Sequence, residues 1–201
     1  RLASLHPGPD FTSGLAAAAV DVGEEQADEL LGQLVAANLV EESGEDRYRF
    51  HDLLRVHARG LAGQAECQRE NADAVLRMLR WLLDAAVRAD LVVMPGRPRQ
   101  GDRYQAARNE PARFATPTLA LEWLERHRPH LVAAVYLADE YGFDSLCWQF
   151  CEALWGLFQQ HKNFEDWIGT HQVGVAAARR VGDDCAQIWI RCQLGLGLLE
   201  L

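Results

Sequence analysis

Residues 39–55 read LVEESGEDRYRFHDLLR, and this stretch decides the fold of the first third of the chain. Two short segments, 39–42 and 47–50, alternate or nearly alternate apolar and polar residues. The turn-rich residues SGED between them are typical of a β-hairpin. His51 and Asp52 then open a helix that we expect to continue to about Ala65. The stretch therefore predicts strand, turn, strand and helix in immediate succession.

Two helices are predicted before the hairpin. Residues 10–20 form the first, with Asp10 or Thr12 as its N-cap. Residues 24–38 form the second, whose apolar side chains recur at helical spacing along one stripe. Helix, helix, hairpin and helix are the outline of a winged-helix domain, which we place at residues 1–65. Arg1 to Leu5 are expected to be the tail of a preceding helix.

The next part of the chain, residues 66–117, is predicted to be a connector. Residues 68–93 show a long helical period, whereas residues 94–117 hold four of the seven prolines and five arginines without any period. We therefore expect a helical connector followed by a long, Pro- and Arg-rich loop or linker.

Residues 118–201 are predicted to be helical throughout, with Pro129 as a candidate breaking point. The turn signals lie at Gly142, at Lys162-Asn163 and at Gly182-Asp183. Paired helices that recur about every 40 residues are typical of an α-solenoid. The expected fold class is mainly α, with one small hairpin. The predicted helices are 118–141, 144–161, 164–181 and 184–201.

Composition narrows the class of protein. The chain has 201 residues, a formal net charge of -9, 49% hydrophobic residues and 24% charged residues, which is not the composition of a disordered protein. It has no apolar run long enough to span a membrane and no apolar leader at its start, so no membrane partner is expected. Five cysteines without a C-x-x-C motif favour a reducing compartment, and we expect a cytoplasmic location. The first residue is Arg rather than Met, and we expect the chain to be part of a larger protein.

No motif predicts an enzyme. The chain lacks a P-loop, a G-x-S-x-G and an H-E-x-x-H motif, and its single lysine, Lys162, follows a histidine. We interpret Gly195-Leu196-Gly197 as close helix packing, His127 and His130 as surface histidines, and the cysteines as small buried residues rather than zinc ligands. We therefore predict no catalytic residue and no metal site.

Charge argues against DNA binding by the predicted winged helix. Its second helix, which would enter the major groove, carries four acidic residues and no basic one. Between Leu2 and Asp46 there is no Lys or Arg at all, whereas a polyanion requires several. We predict no nucleic-acid partner for this segment.

His51 is the one residue with two competing interpretations. A histidine at a helix N-terminus can donate to an anion such as a phosphate, because free N–H groups and positive potential meet there. Alternatively, His51 or Asp52 caps the helix. Residue chemistry alone favours the cap.

A family resemblance adds to these patterns. Residues 50–55, FHDLLR, preceded by LHPGPDF at residues 5–11, resemble the winged-helix part of NB-ARC proteins, the STAND class of signalling ATPases. The likeness is strongest to actinobacterial, SARP-like NB-ARC–TPR transcriptional regulators. It implies that His51 contacts the β-phosphate of ADP bound in an upstream ATPase module, with Phe50 at the family's Met position and Asp52 orienting the helix entry.

A second resemblance lies in the C-terminal half. Residues 176–183, AAARRVGD, followed by LGLGLL at 194–199, are similar to a tetratricopeptide-repeat (TPR) junction, and residues 119–125, LALEWLE, resemble a lead-in to such arrays. The resemblance implies that residues 118–201 receive a protein or small-ligand signal, and that activation leads to oligomerisation. It also implies ADP or ATP in the full-length protein but no cofactor in this segment. The family's Walker motifs and a polar capping helix are absent from the 201 residues.

Three rival functions stay open at this point. The chain could be a stand-alone TPR-type scaffold for protein interactions, with His51 only a cap. It could be a winged-helix DNA binder, or a helical sensor of small molecules. In the sensor, five aromatic residues would line a pocket rather than form the core, namely Trp148, Trp155, Phe158, Trp167 and Trp189.

Overall fold

The computed structural model describes residues 1–64 and 67–201. The chain divides into two compact units, residues 1–81 (unit 1) and 82–201 (unit 2), each described by itself below. The described residues are mostly helical and contain one small two-stranded antiparallel sheet. The predicted mainly α class with a hairpin is therefore confirmed. The winged-helix and TPR assignments, and the predicted domain boundaries, remain predictions.

Unit 1 has the predicted order of helix, helix, hairpin and helix. The third helix ends at Ala62, earlier than expected, and Ala65, where its end was predicted, lies outside the described residues. A fourth long helix begins in unit 1 and ends in unit 2. The elements are a 3₁₀ turn (Leu2–Leu5), α1 (Ser13–Val20), α2 (Glu24–Ala36), β1 (Val40–Gly44), β2 (Arg47–Phe50), α3 (Asp52–Ala62) and α4 (Gln68–Val93).

The hairpin is tied to the segment that leads into α1. Phe11 exchanges two backbone hydrogen bonds with Tyr48, of 2.8 and 2.9 Å, and so extends the edge of the sheet by one residue. The Asp46 carboxylate accepts the N–H of Ser13 at 2.9 Å, and Asp10 pairs with Arg47 at 2.6 Å. These bonds fix β2 and therefore the point at which α3 begins.

Unit 2 consists of the second part of α4, the short helix α5 (Arg103–Ala107) and four longer helices. These are α6 (Pro117–Glu140), α7 (Asp144–His161), α8 (Phe164–Val181) and α9 (Asp184–Glu200). The predicted turns are confirmed, because Gly142, Lys162 and Gly182 all have positive φ. Consecutive helices from α6 to α9 pack on one another, and α6 contacts α8 as α7 contacts α9.

The candidate break at Pro129 does not occur, since α6 runs through this residue. A proline inside a helix removes one hydrogen bond and costs about 3 kcal/mol in an isolated helix. Here, Leu124 on one side of Pro129 and Leu131 on the other are completely buried. Burial of apolar side chains in both halves offsets the lost hydrogen bond and keeps the helix continuous.

Residues 94–117 are more ordered than the predicted linker, because buried ion pairs hold their first part. Arg97 and Arg99 donate to the Asp90 carboxylate at 2.6 and 2.9 Å, and the hydroxyl of Tyr104 donates to it at 2.8 Å. The side chains of Asp90 and Arg99 have no exposed surface. The prolines and arginines that suggested a linker therefore belong to a fixed loop that also leads into α5.

Glu152 on α7 holds the same loop from the other side. Its carboxylate accepts the backbone N–H groups of Gln100 and Gly101, both at 2.8 Å. Burial raises the pKa of the Glu152 carboxyl, and the two N–H donors oppose that rise. A Cβ at Gly101 would lie 2.9 Å from Glu152 Oε2, so glycine is required at this close approach.

Three of the five aromatic residues that a sensor pocket would use belong to the core of unit 2, whereas Trp155 and Trp189 are partly exposed. Trp148, Phe158 and Trp167 are buried, and a Cβ at Gly197 would meet the Trp167 ring at 3.0 Å. The interpretation of Gly195-Leu196-Gly197 as close helix packing is confirmed at Gly197.

We predict that Asp90→Asn destabilises the chain by about 3–5 kcal/mol, because it leaves two arginines in a dry interior without their carboxylate. Urea unfolding at neutral pH measures this change. The matched control is Asp139→Asn, which breaks an exposed ion pair with Arg180 and should cost about 1 kcal/mol or less. Equal losses in the two variants would contradict the importance of the buried pairs.

Candidate functional site

His51 lies where β2 ends and α3 begins. Phe50, the last residue of β2, pairs with Val40, and its ring lies 5.3 Å from that of Phe11. His51 has an extended backbone (φ -60°, ψ 141°), and its carbonyl accepts the N–H of Arg55 at 2.9 Å. His51 is therefore the N-cap residue of α3, and the hairpin fixes its backbone.

The His51 side chain does not cap the helix. It makes no hydrogen bond to the N–H groups of α3, and 51% of it is exposed. Its Nδ1 lies 3.8 Å from Glu41 Oε2, which is too far for a hydrogen bond, and Glu41 is already bonded to Arg49. The capping bond that residue chemistry favours is therefore absent at His51, and the imidazole is accessible to an external group.

The start of α3 offers favourable potential for an anion. The first N–H groups of a helix lack internal partners and carry a partial positive charge. Asp52 lies in this first turn, where a carboxylate interacts favourably with the helix dipole. The site can therefore supply one imidazole contact to an anionic group, but Asp52 partly offsets the positive potential.

Two arginines of α3 attach the helix to the N-terminal segment. Arg55 Nη2 donates to the carbonyl oxygens of His6 at 2.9 Å and Gly8 at 2.5 Å. Arg59 Nε donates to the carbonyl oxygen of Ser4 at 2.9 Å. Hydrogen bonds from a charged donor are stronger than neutral ones. These bonds hold α3, and with it His51, against residues 4–8.

One side of α3 carries large apolar residues that unit 1 leaves uncovered. Leu53 is 85% exposed and Val56 is 70% exposed, both within two turns of His51. Neighbouring exposed apolar side chains mark an interaction surface more often than isolated ones do. The periodicity of α3 does not identify this surface, because its apolar residues occupy more than one face of the helix. We call Leu53 and Val56 the exposed α3 pair.

The opposite side of α3 borders an apolar groove of about 550 Å³, which also lies within unit 1. Its walls are α2, α3 and the 3₁₀ turn, and Phe11 and Phe50 contribute to its lining. Sequence patterns gave no sign of this groove, because its walls come from segments that lie far apart in the sequence.

The acidic residues of α2 are exposed in the structure. Glu24, Glu25, Asp28 and Glu29 all lie on the surface, and none forms an ion pair within residues 1–64 and 67–201. The helix that would read DNA in a winged-helix protein therefore presents uncompensated negative charge.

The other histidines and the cysteines differ partly from expectation. His130 is buried rather than on the surface, and His127 stacks on Trp123 at 4.2 Å. Cys147 and Cys151 are buried as expected, and burial raises the pKa of Cys147 to about 12. Cys185 and Cys192 lie on α9 and are exposed, whereas the sequence predicted buried cysteines.

The described residues lack two other kinds of feature. In the part of the chain that the structure describes, no three His, Cys, Asp or Glu residues lie close enough together to hold a metal ion. Among the same residues, no helix combines the length and apolarity that crossing a membrane requires.

We predict that Arg55→Ala destabilises the chain by about 1.5–3 kcal/mol, because two backbone carbonyls lose a charged donor. Urea unfolding gives the free energy, and hydrogen exchange should show faster exchange around residues 51–55. Arg49→Ala is the control, since Arg49 is largely exposed and its ion pair should contribute about 1 kcal/mol or less. A loss no greater than that of the control would show that packing alone positions α3.

Part of the chain is similar to known regulatory proteins. The chain is 33% identical over 139 residues to regulatory protein AfsR of Streptomyces coelicolor, which is 67% of this chain and 14% of that protein. It is 34% identical over 134 residues to regulatory protein AfsR of Streptomyces griseus, again 14% of the relative. No family model and no solved structure matches. The chain spans about one seventh of the length of these relatives, and it is homologous to a segment of actinobacterial regulatory proteins.

Proposed function

We propose that the chain is the regulatory and sensor segment of a STAND (NB-ARC) ATPase that regulates transcription. In this proposal, unit 1 is a winged helix that helps to hold ADP in the autoinhibited state. The observation that best supports this proposal concerns the His51 side chain. It lies at the start of α3, is accessible to solvent and makes no capping hydrogen bond to the helix. Its surroundings, FHDLLR, resemble the family's motif, and the homologous proteins are regulators.

The residues of this chain can make one contact to a phosphate, but they do not form a complete nucleotide site. The His51 imidazole can donate one hydrogen bond to a phosphate oxygen, and the positive end of the α3 dipole supports the same charge. The remaining phosphate contacts need a P-loop, which this chain lacks. We therefore propose that the upstream ATPase module supplies the nucleotide site, and that this segment alone is neither an enzyme nor a holder of any cofactor.

The exposed α3 pair is suited to contact with that module. Leu53 and Val56 are the most exposed apolar residues of α3, and they follow His51 by two and five positions in the sequence. Burying them against the ATPase module would place His51 at the boundary between the two parts. The free energy that closes the protein would then come mainly from apolar contact, and His51 would make closure sensitive to the nucleotide.

We propose that helices α6–α9 are TPR-like and receive a protein or small-ligand signal. The support is their stacking, in which each helix contacts the next and the next but one. A signal that binds the open form better by a few kcal/mol is enough to shift a two-state equilibrium. Nucleotide exchange and oligomerisation would follow, in the cytoplasm.

We predict that His51→Ala in the full-length regulator speeds ADP release by about 10- to 100-fold, the equivalent of one charge-assisted hydrogen bond. Release of a fluorescent ADP analogue, followed by stopped flow, measures the rate. His161→Ala, which removes an exposed histidine of α7, is the control and should leave release unchanged. If His51→Ala left the rate of ADP release unchanged, the proposed contact between His51 and ADP would be wrong. The stand-alone scaffold for protein interactions would then be favoured.

We also predict that residues 1–201 show no saturable binding to duplex DNA up to about 100 µM in low salt, where nonspecific binders already associate. Fluorescence anisotropy with a labelled duplex tests this. The matched variant Glu25→Lys/Asp28→Lys/Glu29→Lys replaces the exposed acids of α2 and should gain salt-dependent binding. Saturable binding by the unchanged chain would support the winged-helix DNA binder instead.

A further inference from the structure

A cleft of about 530 Å³ lies on the surface of α8 and α9 in unit 2, and arginine is its most frequent lining residue. We call it the basic cleft. The three arginines are the only Lys or Arg among residues 163–201, which also contain five acidic residues. The positive charge of an otherwise acidic segment is therefore gathered at one place. The described residues that line the basic cleft are Gln172, Val175, Ala176, Arg179, Arg180 and Arg191.

Two of the three arginines have no ionic partner. Arg180 pairs with both Asp139 and Asp144, so its charge is largely neutralised. Arg179 and Arg191 are exposed, and within residues 1–64 and 67–201 neither forms an ion pair or a side-chain hydrogen bond. The basic cleft therefore presents two uncompensated positive charges to the solvent.

Three of the five acidic residues of this segment are engaged elsewhere. Asp166 pairs with an arginine of α6, and Glu200 pairs with Lys162. The Asp183 side chain caps α9, because it accepts the N–H of Ala186 at 2.9 Å. These carboxylates cannot turn to the basic cleft without losing those contacts. An external carboxylate can supply the missing negative charge without that cost.

The shape and lining of the basic cleft favour a peptide over a small molecule. Except for Val175, its described lining residues are exposed, so the cleft is open to solvent. A small-molecule site normally encloses about 70–90% of its ligand, whereas an open cleft can hold one side of an extended chain. Val175 and Ala176 give the cleft a small apolar part, and the amide of Gln172 can bond to a peptide group. A chain with carboxylates and small apolar side chains matches these features.

A nucleic acid fits the basic cleft less well than an acidic peptide does. Proteins that bind duplexes neutralise several phosphates, and two free arginines are too few for this. The net charge of -9 on the chain also repels a polyanion, whereas a short acidic segment carries fewer charges and is repelled less. A guanidinium group can moreover donate two parallel hydrogen bonds to one carboxylate.

We propose that the basic cleft binds an acidic peptide segment of a partner protein, with Arg179 and Arg191 as the main contacts. The inference rests on the proposed function only in that helices α6–α9 receive a signal. It adds the surface that receives the signal and the chemistry that this surface recognises. Because both arginines are exposed, their ion pairs are individually weak and are screened by salt. Such binding is reversible, as a signal requires.

The test uses residues 1–201 and a fluorescein-labelled peptide of about ten residues in which Asp and Ala alternate. Fluorescence anisotropy in about 50 mM salt should show saturable binding with a Kd of about 100 µM or lower. Arg179→Gln/Arg191→Gln should weaken binding about 10-fold or more, because both main contacts are lost. The matched control Arg108→Gln/Arg126→Gln removes two other exposed arginines of unit 2 and changes the net charge equally. It should change the Kd by less than about 2-fold.

Three outcomes would overturn the inference. The first is that the unchanged chain binds the peptide no better than a version in which Asn replaces every Asp. The second is an equal loss of binding in the two double variants, because binding would then follow net charge rather than the basic cleft. The third is displacement of the peptide by an equal concentration of free glutarate, because a small dicarboxylic acid would then be the occupant.

The outcome is separable from that of the proposed function. If the peptide binds the basic cleft but leaves ADP release from the full-length regulator unchanged, the binding site stands and its signalling role fails. If no acidic peptide binds while His51→Ala still speeds ADP release, the contact between His51 and ADP stands and only the inference about the basic cleft fails.

Discussion

The hydrogen bonds from Arg55 and Arg59 to backbone carbonyls are the interactions on which unit 1 depends. α3 buries only Ala62, so apolar packing contributes little to its position. The guanidinium groups instead attach it to the carbonyls of residues 4, 6 and 8. Because these bonds have fixed directions, they orient α3 as well as hold it. The groove wall and the accessible His51 both follow from this orientation.

In unit 2, an irregular segment is held in place by a different kind of interaction. There, residues 97–101 are held by carboxylates that have no exposed surface, and opposite charges balance each other inside the protein. Breaking such a buried pair is costly, whereas the bonds of Arg55 and Arg59 lie in a part-buried region and break more easily. Rearrangement is therefore easier at α3 than at the loop of unit 2. The two-state regulator proposed above would need such a difference, because its moving element must change state for a few kcal/mol.

Signals from neighbouring residues were enough to predict most of the secondary structure. Features that depend on residues far apart in the sequence could not be predicted. The hairpin at 39–50 and the turns at Gly142 and Gly182 were predictable because each depends on neighbouring residues. The loop around Arg97 was not, since its partner Glu152 lies far away in sequence and arginines next to prolines suggest a linker. Pro129 was misleading for the same reason, as burial at Leu124 and Leu131 outweighs the local break. His51 was found from sequence, but its capping alternative could be tested only by geometry.

Charge explains why His51 can matter without binding nucleotide by itself. Residues 1–65 carry a net charge of -6, so this segment repels a free polyphosphate at long range. One imidazole contact contributes about 1.5–3 kcal/mol, which is too little to retain a nucleotide against that repulsion. The same amount is large for an equilibrium between closed and open forms, where it changes the population about 10- to 100-fold. In the proposed function, His51 would therefore report on a nucleotide that another module holds.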